Sequence, residues 1–150
     1  TYFGSKEAIF RDLVRDLSEG VRQAAAQSLA ERELDALETE RAALGAFLAF
    51  AREHKEIYRI IDESEFVDPE SYRLHYEKTA ERILGRLRAG AAAGQLRGDL
   101  DEAHAWAIMG MNVFLGLRYA VWSKGEEDRP EHAAQAAAMI LSEGIGPREA

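Results

Sequence analysis

The sequence predicts an all-α fold, and three observations lead to that prediction. Apolar residues recur every three or four positions in successive segments, which is the period of an amphipathic helix. No segment alternates apolar and polar residues long enough for a strand of a sheet, and the chain has only three prolines. Its 150 residues suffice for one domain that buries roughly two-thirds of its unfolded surface. We therefore expect one helical domain with six helices.

The first helix is predicted to run from Ser5 to about Ala26. Phe3-Gly4 before it resembles a break, because glycine readily takes the left-handed conformation that ends a helix. The hydroxyl of Ser5 is then placed to accept a free backbone N–H of the first turn. The predicted apolar face of this helix consists of Ile9, Leu13, Leu17, Val21 and Ala24.

The next three helices follow from further apolar stripes and from the residues that interrupt them. A second helix is expected from about Leu37 to His54, and a short third one covers residues 57–61. The fourth begins at Pro69, since proline suits the first position of a helix, and ends at Gly94. The residues of the fourth helix that are predicted to face outward are Arg73, Glu77, Lys78, Glu81 and Arg82.

A fifth helix is predicted over residues 101–122, and a sixth runs from Pro130 to Gly144. The fifth is apolar nearly all round and needs partners on all sides. Arg118 lies well inside it, so we interpret it as a buried helix and not as a membrane span. Two copies of the last helix pair could form a four-helix bundle about a two-fold axis; the alternative is a monomer core that covers both faces. The residues predicted for a homodimer interface are Phe114, Arg118, Val121, Trp122, Ala133, Ala137 and Ile140.

Composition limits the function classes. The chain has no cysteine, which excludes disulfides, thiolate metal sites and cysteine nucleophiles. Its net charge of −8 has the wrong sign for a domain whose main surface meets DNA phosphates. The first residues do not resemble a signal peptide, since no charged stretch precedes an apolar run. These features fit an acidic effector-binding or dimerising domain of a cytoplasmic protein without a membrane partner.

No motif of catalysis or metal binding is present. Asp101-x-x-His104 occurs once, whereas a di-iron helical bundle needs two carboxylate-x-x-His motifs and further glutamates. Asp101-Glu102-Ala103-His104 spells a helicase box, but no phosphate-binding glycine loop or nucleophile elbow accompanies it. We interpret it as a helix N-terminus, where acidic residues are favoured. We expect no enzyme, no metal site and no cofactor.

The opening segment carries the most specific motif of the chain. Tyr-Phe-Gly-Ser-Lys-Glu-Ala-Ile-Phe at residues 2–10 resembles the junction after the helix-turn-helix of TetR-family (tetracycline-repressor-like) transcriptional regulators. Two weaker similarities lie at residues 47–54, where the family often has Pro after His and this chain has Lys55, and at residues 92–101. The order of the predicted helices is also similar to that of the family's regulatory domain.

This resemblance implies a DNA-binding regulator, with most of its reading head upstream of Thr1. Residues 1–4 would be the remnant of the recognition helix, and residues 5–150 the ligand-binding and dimerisation domain. By resemblance, Tyr2 and Lys6 contact the DNA backbone, which suits a phenol and a lysine at a helix N-terminus. The alternative is that Tyr2 is a core aromatic and Lys6 a solvated neighbour of the cap.

The resemblance further implies an effector cavity walled by the middle helices, where aromatic and aliphatic residues accumulate. These residues suit a small apolar or aromatic ligand that a few polar groups orient. Asn112 is the sharpest polar candidate, although a partner on a neighbouring helix or across the dimer would equally satisfy its amide. The predicted effector pocket comprises Phe47, Phe50, Tyr58, Ile61, Tyr72, His75, Tyr76, Thr79, Ile83, Met109, Asn112 and Val113.

The function predicted from the sequence is therefore that of a TetR-like regulator, most simply a repressor, whose partners are operator DNA, a small effector and a second copy of the chain. The alternative is an all-α interaction or scaffold bundle without a DNA-binding role.

Overall fold

Six α-helices account for most of the residues that the structure describes. The structure is a computed structural model that covers residues 2–125 and 129–148, with the backbone alone at Tyr2 and Phe3. Within those ranges it contains no β-strand, which confirms the predicted all-α fold of six helices. The helices are α1 (Tyr2–Leu29), α2 (Ala36–Glu53), α3 (Glu56–Val67), α4 (Pro69–Ala92), α5 (Glu102–Gly116), which continues directly into a π-helical segment (Leu117–Val121), and α6 (Pro130–Glu143).

Local residues explain where most of these helices begin and end. Asp35 before α2 and Asp101 before α5 each accept a backbone N–H of the following turn, which satisfies a donor that has no partner within the helix. Pro69 and Pro130 occupy the first turns of α4 and α6, where a missing N–H costs nothing. Beyond α4, Gly94 has a φ of +73°, a left-handed conformation that ends the helix.

The break predicted at Phe3-Gly4 is wrong. Helix α1 begins at Tyr2 and passes through Gly4 and Ser5 without interruption, so Ser5 is not an N-cap. A glycine inside a helix costs only about 1 kcal/mol relative to alanine. The good helix formers that follow it, from Lys6 onward, outweigh that cost.

The predicted apolar face of α1 is displaced by one residue in its first half. Ile9 is 59% exposed and Leu13 is also exposed, whereas Val14 is buried against Ile57 and Ile61 of α3. The predicted stripe continued at four-residue spacing, whereas a helix turns every 3.6 residues. From Leu17 onward the prediction and the structure coincide, since Leu17 and Val21 pack on the same cluster.

The small residues of α6 lie inside the protomer. Ala133 and Ala137 are 1% and 3% exposed, and they pack with Leu44 and Leu48 of α2. Alanines allow this close approach of two helices. Both side chains are thereby buried within one chain and cannot contact a second copy. Their assignment to a homodimer interface is wrong for this conformation.

Candidate functional site

A cavity lies between helices α1 to α5. The volume that the centre of a water-sized sphere can occupy is about 90 Å³. This is enough for several waters or a compact organic group. Ten of the twelve residues predicted for an effector pocket line this one space, from Phe47 on α2 to Val113 on α5. The structure therefore brings most of that set together, while occupancy by an effector stays a prediction.

Two predicted pocket residues lie outside the cavity wall. The ring of Phe50 packs against His54, with centroids 4.4 Å apart, and it also faces Gly20 of α1. Tyr72 contacts Tyr76 edge-on, with centroids 5.3 Å apart. Both residues support the wall from behind and do not touch the space itself.

The side of the cavity formed by Phe47, Tyr58 and Tyr76 is here called the aromatic end. The rings of Phe47 and Tyr58 lie 6.5 Å apart between centroids. The Tyr58 hydroxyl donates a hydrogen bond to the carbonyl oxygen of Val113 at 2.5 Å. Burial raises the pKa of Tyr58 well above its usual range and that of Tyr76 to about 12. Both phenols are therefore neutral at any physiological pH.

His75 supplies a neutral polar group to the cavity wall. Its Nδ1 is hydrogen-bonded to the Ser18 hydroxyl of α1, and its backbone carbonyl accepts a hydrogen bond from the Thr79 hydroxyl at 2.8 Å. Burial, followed by the charge of Arg82, lowers the pKa of His75 to about 4. His75 therefore brings a neutral imidazole, held by a hydrogen bond to α1, to the wall of the cavity.

Two arginines also line the cavity and were missed by sequence reasoning. Arg82 and Arg86 of α4 contribute to the wall, and Glu40 of α2 pairs with Arg86 without lining the cavity; these three residues are here called the basic end. Arg86 donates two hydrogen bonds to the Glu40 carboxylate, Nε to Oε2 at 2.7 Å and Nη2 to Oε1 at 3.0 Å. The Glu40 side chain is only 4% exposed, so this bidentate pair is a buried ion pair.

Arg82 was predicted to face outward, and that prediction is wrong. It is half-buried and lines the cavity one turn before Arg86. The signal was present in the spacing, because residues 75, 79, 82 and 86 follow the three- and four-residue steps of a single helical stripe. A mixed stripe of histidine, threonine and two arginines does not stand out in an apolar pattern. The other lining residues absent from the prediction are Val21, Ala25, Ala43 and Ile57.

The residues predicted to contact DNA lie at the start of α1. Lys6 is exposed on the first turns of the helix, as a phosphate contact requires. The side chain of Tyr2 lies outside the described residues. Helix α1 contains the opening motif and also contributes Val21 and Ala25 to the cavity wall.

The exposed apolar side chains predicted for the dimer interface lie on α5, the π-helical segment and α6. Phe114 is 71% exposed and Trp122 is 60% exposed, and Ile140 is also exposed. Arg118 is exposed with its guanidinium above the ring of Tyr119, and Val121 is half-buried. These five residues remain at the surface, in contrast to the two alanines of α6.

The Asp-Glu-Ala-His string is a helix N-terminus, as predicted. The Asp101 carboxylate accepts the backbone N–H of Ala103 at 3.0 Å, and His104 Nδ1 lies 2.9 Å from the same carboxylate. Among residues 2–125 and 129–148, no three histidine, aspartate or glutamate side chains come together as metal ligands.

Neither the helices nor the comparisons with known proteins identify the chain further. None of the described helices combines the length and the hydropathy that a bilayer crossing requires. No protein-family model matches the sequence, and no curated protein is significantly similar to it.

Proposed function

We propose that this chain is the regulatory and dimerisation region of a TetR-like transcriptional repressor, which acts in the cytoplasm and releases its operator when a small effector enters the cavity. The observation that carries the proposal is the course of α1. One uninterrupted helix contains both the motif that resembles a helix-turn-helix junction and two residues of the cavity wall.

Helix α1 offers a direct mechanical route between the two sites. Lys6 and Val21 are separated by roughly 22 Å along the helix axis. An effector that enlarges the cavity would push on Val21 and Ala25, and would disturb the hydrogen bond between Ser18 and His75. Because α1 is continuous, its start would then move relative to the rest of the domain.

The effector must favour one arrangement over the other, because equally tight binding to both shifts no population. In a dimer, the separation of two recognition helices has to match DNA half-sites about one helical turn apart. The exposed surface of Phe114, Trp122 and Ile140 is where we place the contact between copies. Displacement of α1 in each copy would alter that separation and weaken operator binding without any chemical reaction.

The decisive experiment measures DNA binding by the protein together with any residues encoded before Thr1. Binding to DNA that flanks its own gene is compared with binding to random DNA across a salt series. We expect tight, sequence-selective binding that weakens steeply as salt rises, because phosphate contacts release counterions. Equal affinity for both DNAs at every salt concentration would contradict the proposal.

A helical interaction module without a DNA-binding role is the second candidate, and the exposed rings of Phe114 and Trp122 favour it. Sedimentation of the parent and of a Phe114→Ser/Trp122→Ser variant tests this surface separately. Loss of a dimer in the variant supports the contact between copies. A monomeric parent that also fails to select DNA would favour the interaction module.

A further inference from the structure

Arg82 is a cation on the cavity wall without an anionic partner in the described part of the chain. Its charged neighbours are mostly positive, and its Nη2 donates a long hydrogen bond of 3.4 Å to the Thr79 hydroxyl. Burial, followed by the charges of Arg86 and Arg22, lowers the pKa of Arg82, and only Glu19 acts in the opposite direction. Glu19 in turn is engaged by Arg22. The guanidinium has five donors, and one weak hydrogen bond leaves most of them without a protein acceptor.

The basic end carries a net charge of one positive unit. Arg86 and Glu40 neutralise each other through their bidentate contact, so the charge of Arg82 remains. Arg22 of α1, whose charge also acts on Arg82, is likewise balanced by Glu19. A ligand with a single negative charge would balance this end, whereas a neutral ligand would leave Arg82 half-buried and uncompensated.

The polarity of the cavity changes along α4. Tyr76 and Arg82 both line it, and their separation of six positions corresponds to roughly 9 Å along the helix. On α2 the order along the chain is reversed, since Glu40, which pairs with Arg86, precedes Phe47 of the aromatic end. The cavity therefore offers one cationic side and one side of rings and aliphatic groups. Asn112 adds an amide that forms no hydrogen bond with any described residue.

We propose that the cavity takes a carboxylic acid with a compact apolar or aromatic body, whose carboxylate pairs with Arg82 while its body packs against Phe47, Tyr58 and Tyr76. This inference rests on the proposal that the cavity binds an effector, and it specifies the chemical class. The planar fork of arginine matches a carboxylate with two parallel hydrogen bonds. The Asn112 amide is free to orient the ligand from α5.

The test compares acids with their neutral amides on the full chain. Calorimetry measures the binding of 3-phenylpropionate, 4-phenylbutyrate and octanoate, and of the three corresponding amides, to the parent protein. The same titrations are run on Arg82→Gln and on Arg88→Gln. Arg88 is an exposed residue of the same helix, so its substitution changes the net charge equally and leaves the cavity unaltered. Arg82→Lys keeps the charge and removes the fork, and thermal unfolding of each variant verifies that it folds.

We expect at least one acid to bind roughly tenfold or more tightly than its amide, since hydrogen bonds between charged groups are about twice as strong as neutral ones. That preference should persist in Arg88→Gln, fall in Arg82→Lys and disappear in Arg82→Gln. Equal binding of acid and amide to the parent, or an unchanged preference in Arg82→Gln, would overturn the carboxylate assignment and leave effector binding intact. Failure of every acid and every amide to bind would overturn effector binding in this cavity together with the assignment.

Discussion

The two ends of the cavity share helices α2 and α4 and are held by different interactions. At the basic end, Arg86 of α4 reaches Glu40 of α2 through two short hydrogen bonds in a nearly dry setting. At the aromatic end, Phe47 of α2 lies near Tyr58 of α3, and the Tyr58 hydroxyl donates a hydrogen bond to the Val113 carbonyl.

This difference decides how each end responds to a change. Removal of one partner from a buried ion pair strongly destabilises the folded state, because the other charge is left without compensation. A substitution next to packed rings destabilises the folded state by an amount that depends on the volume that is added or removed. The neutral His75 lies between these cases, since acid converts a tolerated group into a buried cation.

The largest effect is expected from Arg86→Ala, which leaves the Glu40 carboxylate buried without its partner. We expect the free energy of unfolding to fall by about 3 kcal/mol, the lower part of the range for a broken buried pair. Urea denaturation at neutral pH measures it. The control is Arg73→Ala, which removes an exposed pair with Glu77 and should cost less than about 1 kcal/mol. Equal losses in the two variants would mean that the basic end is no more dependent on its charges than the surface is.

The second effect is a pH dependence that originates at His75. The pKa of His75 is about 4 in the folded chain and about 6.5 when unfolded. Between these values the unfolded chain binds the extra proton, so stability present above pH 6.5 is lost progressively as the pH falls toward 4.

Between about pH 7 and about pH 4.5, the parent should therefore lose about 2 kcal/mol more of its free energy of unfolding than His75→Gln. The two proteins share every carboxylate, so the difference between their pH profiles isolates the histidine. Parallel profiles would contradict the burial of a neutral imidazole in the cavity wall.

The smallest effect distinguishes two glycines of α5 and sharpens the view of the aromatic end. A Cβ at Gly116 would clash with the Tyr58 hydroxyl and lie 2.7 Å from the Phe47 ring, whereas a Cβ at Gly110 would have nothing within 4 Å. We expect Gly116→Ala to destabilise by about 1 to 2 kcal/mol through overpacking. Gly110→Ala should stabilise by about 0.5 to 1 kcal/mol, because alanine is the better helix former. Thermal unfolding measures whether each substitution raises or lowers stability. Stabilisation by both substitutions would mean that the rings of Phe47 and Tyr58 move aside at little cost.

The structural features that could be predicted from the sequence are those that depend on residues close together in the chain. Pro69 and Pro130 predicted two helix starts, and Asp101 predicted a third, because a cap is determined within one turn. The resemblance to the family placed most of the aromatic residues of the cavity wall correctly, whereas the smaller apolar residues Val21, Ala25, Ala43 and Ile57 were missed.

What could not be predicted depended on partners distant in the chain. Ala133 is buried because Leu44 and Leu48 of α2 cover it, and nothing near residue 133 indicates that pairing. Arg82 has a long apolar stem that can lie on either side of a helix, so only the packed neighbours decide which side it takes. Gly4 does not interrupt α1, because the good helix formers after it stabilise the helix by more than the glycine costs.

The length of α1 has a consequence in angular terms. Between Val21, where it contacts the cavity, and Gly4 near its start, the helix extends roughly 25 Å as a single rod. A tilt of about 5° about Val21 carries Gly4 sideways by roughly 2 Å at that radius. A shift at the cavity wall too small to break any packing contact thus becomes, at the far end of the rod, a displacement comparable to the length of a hydrogen bond.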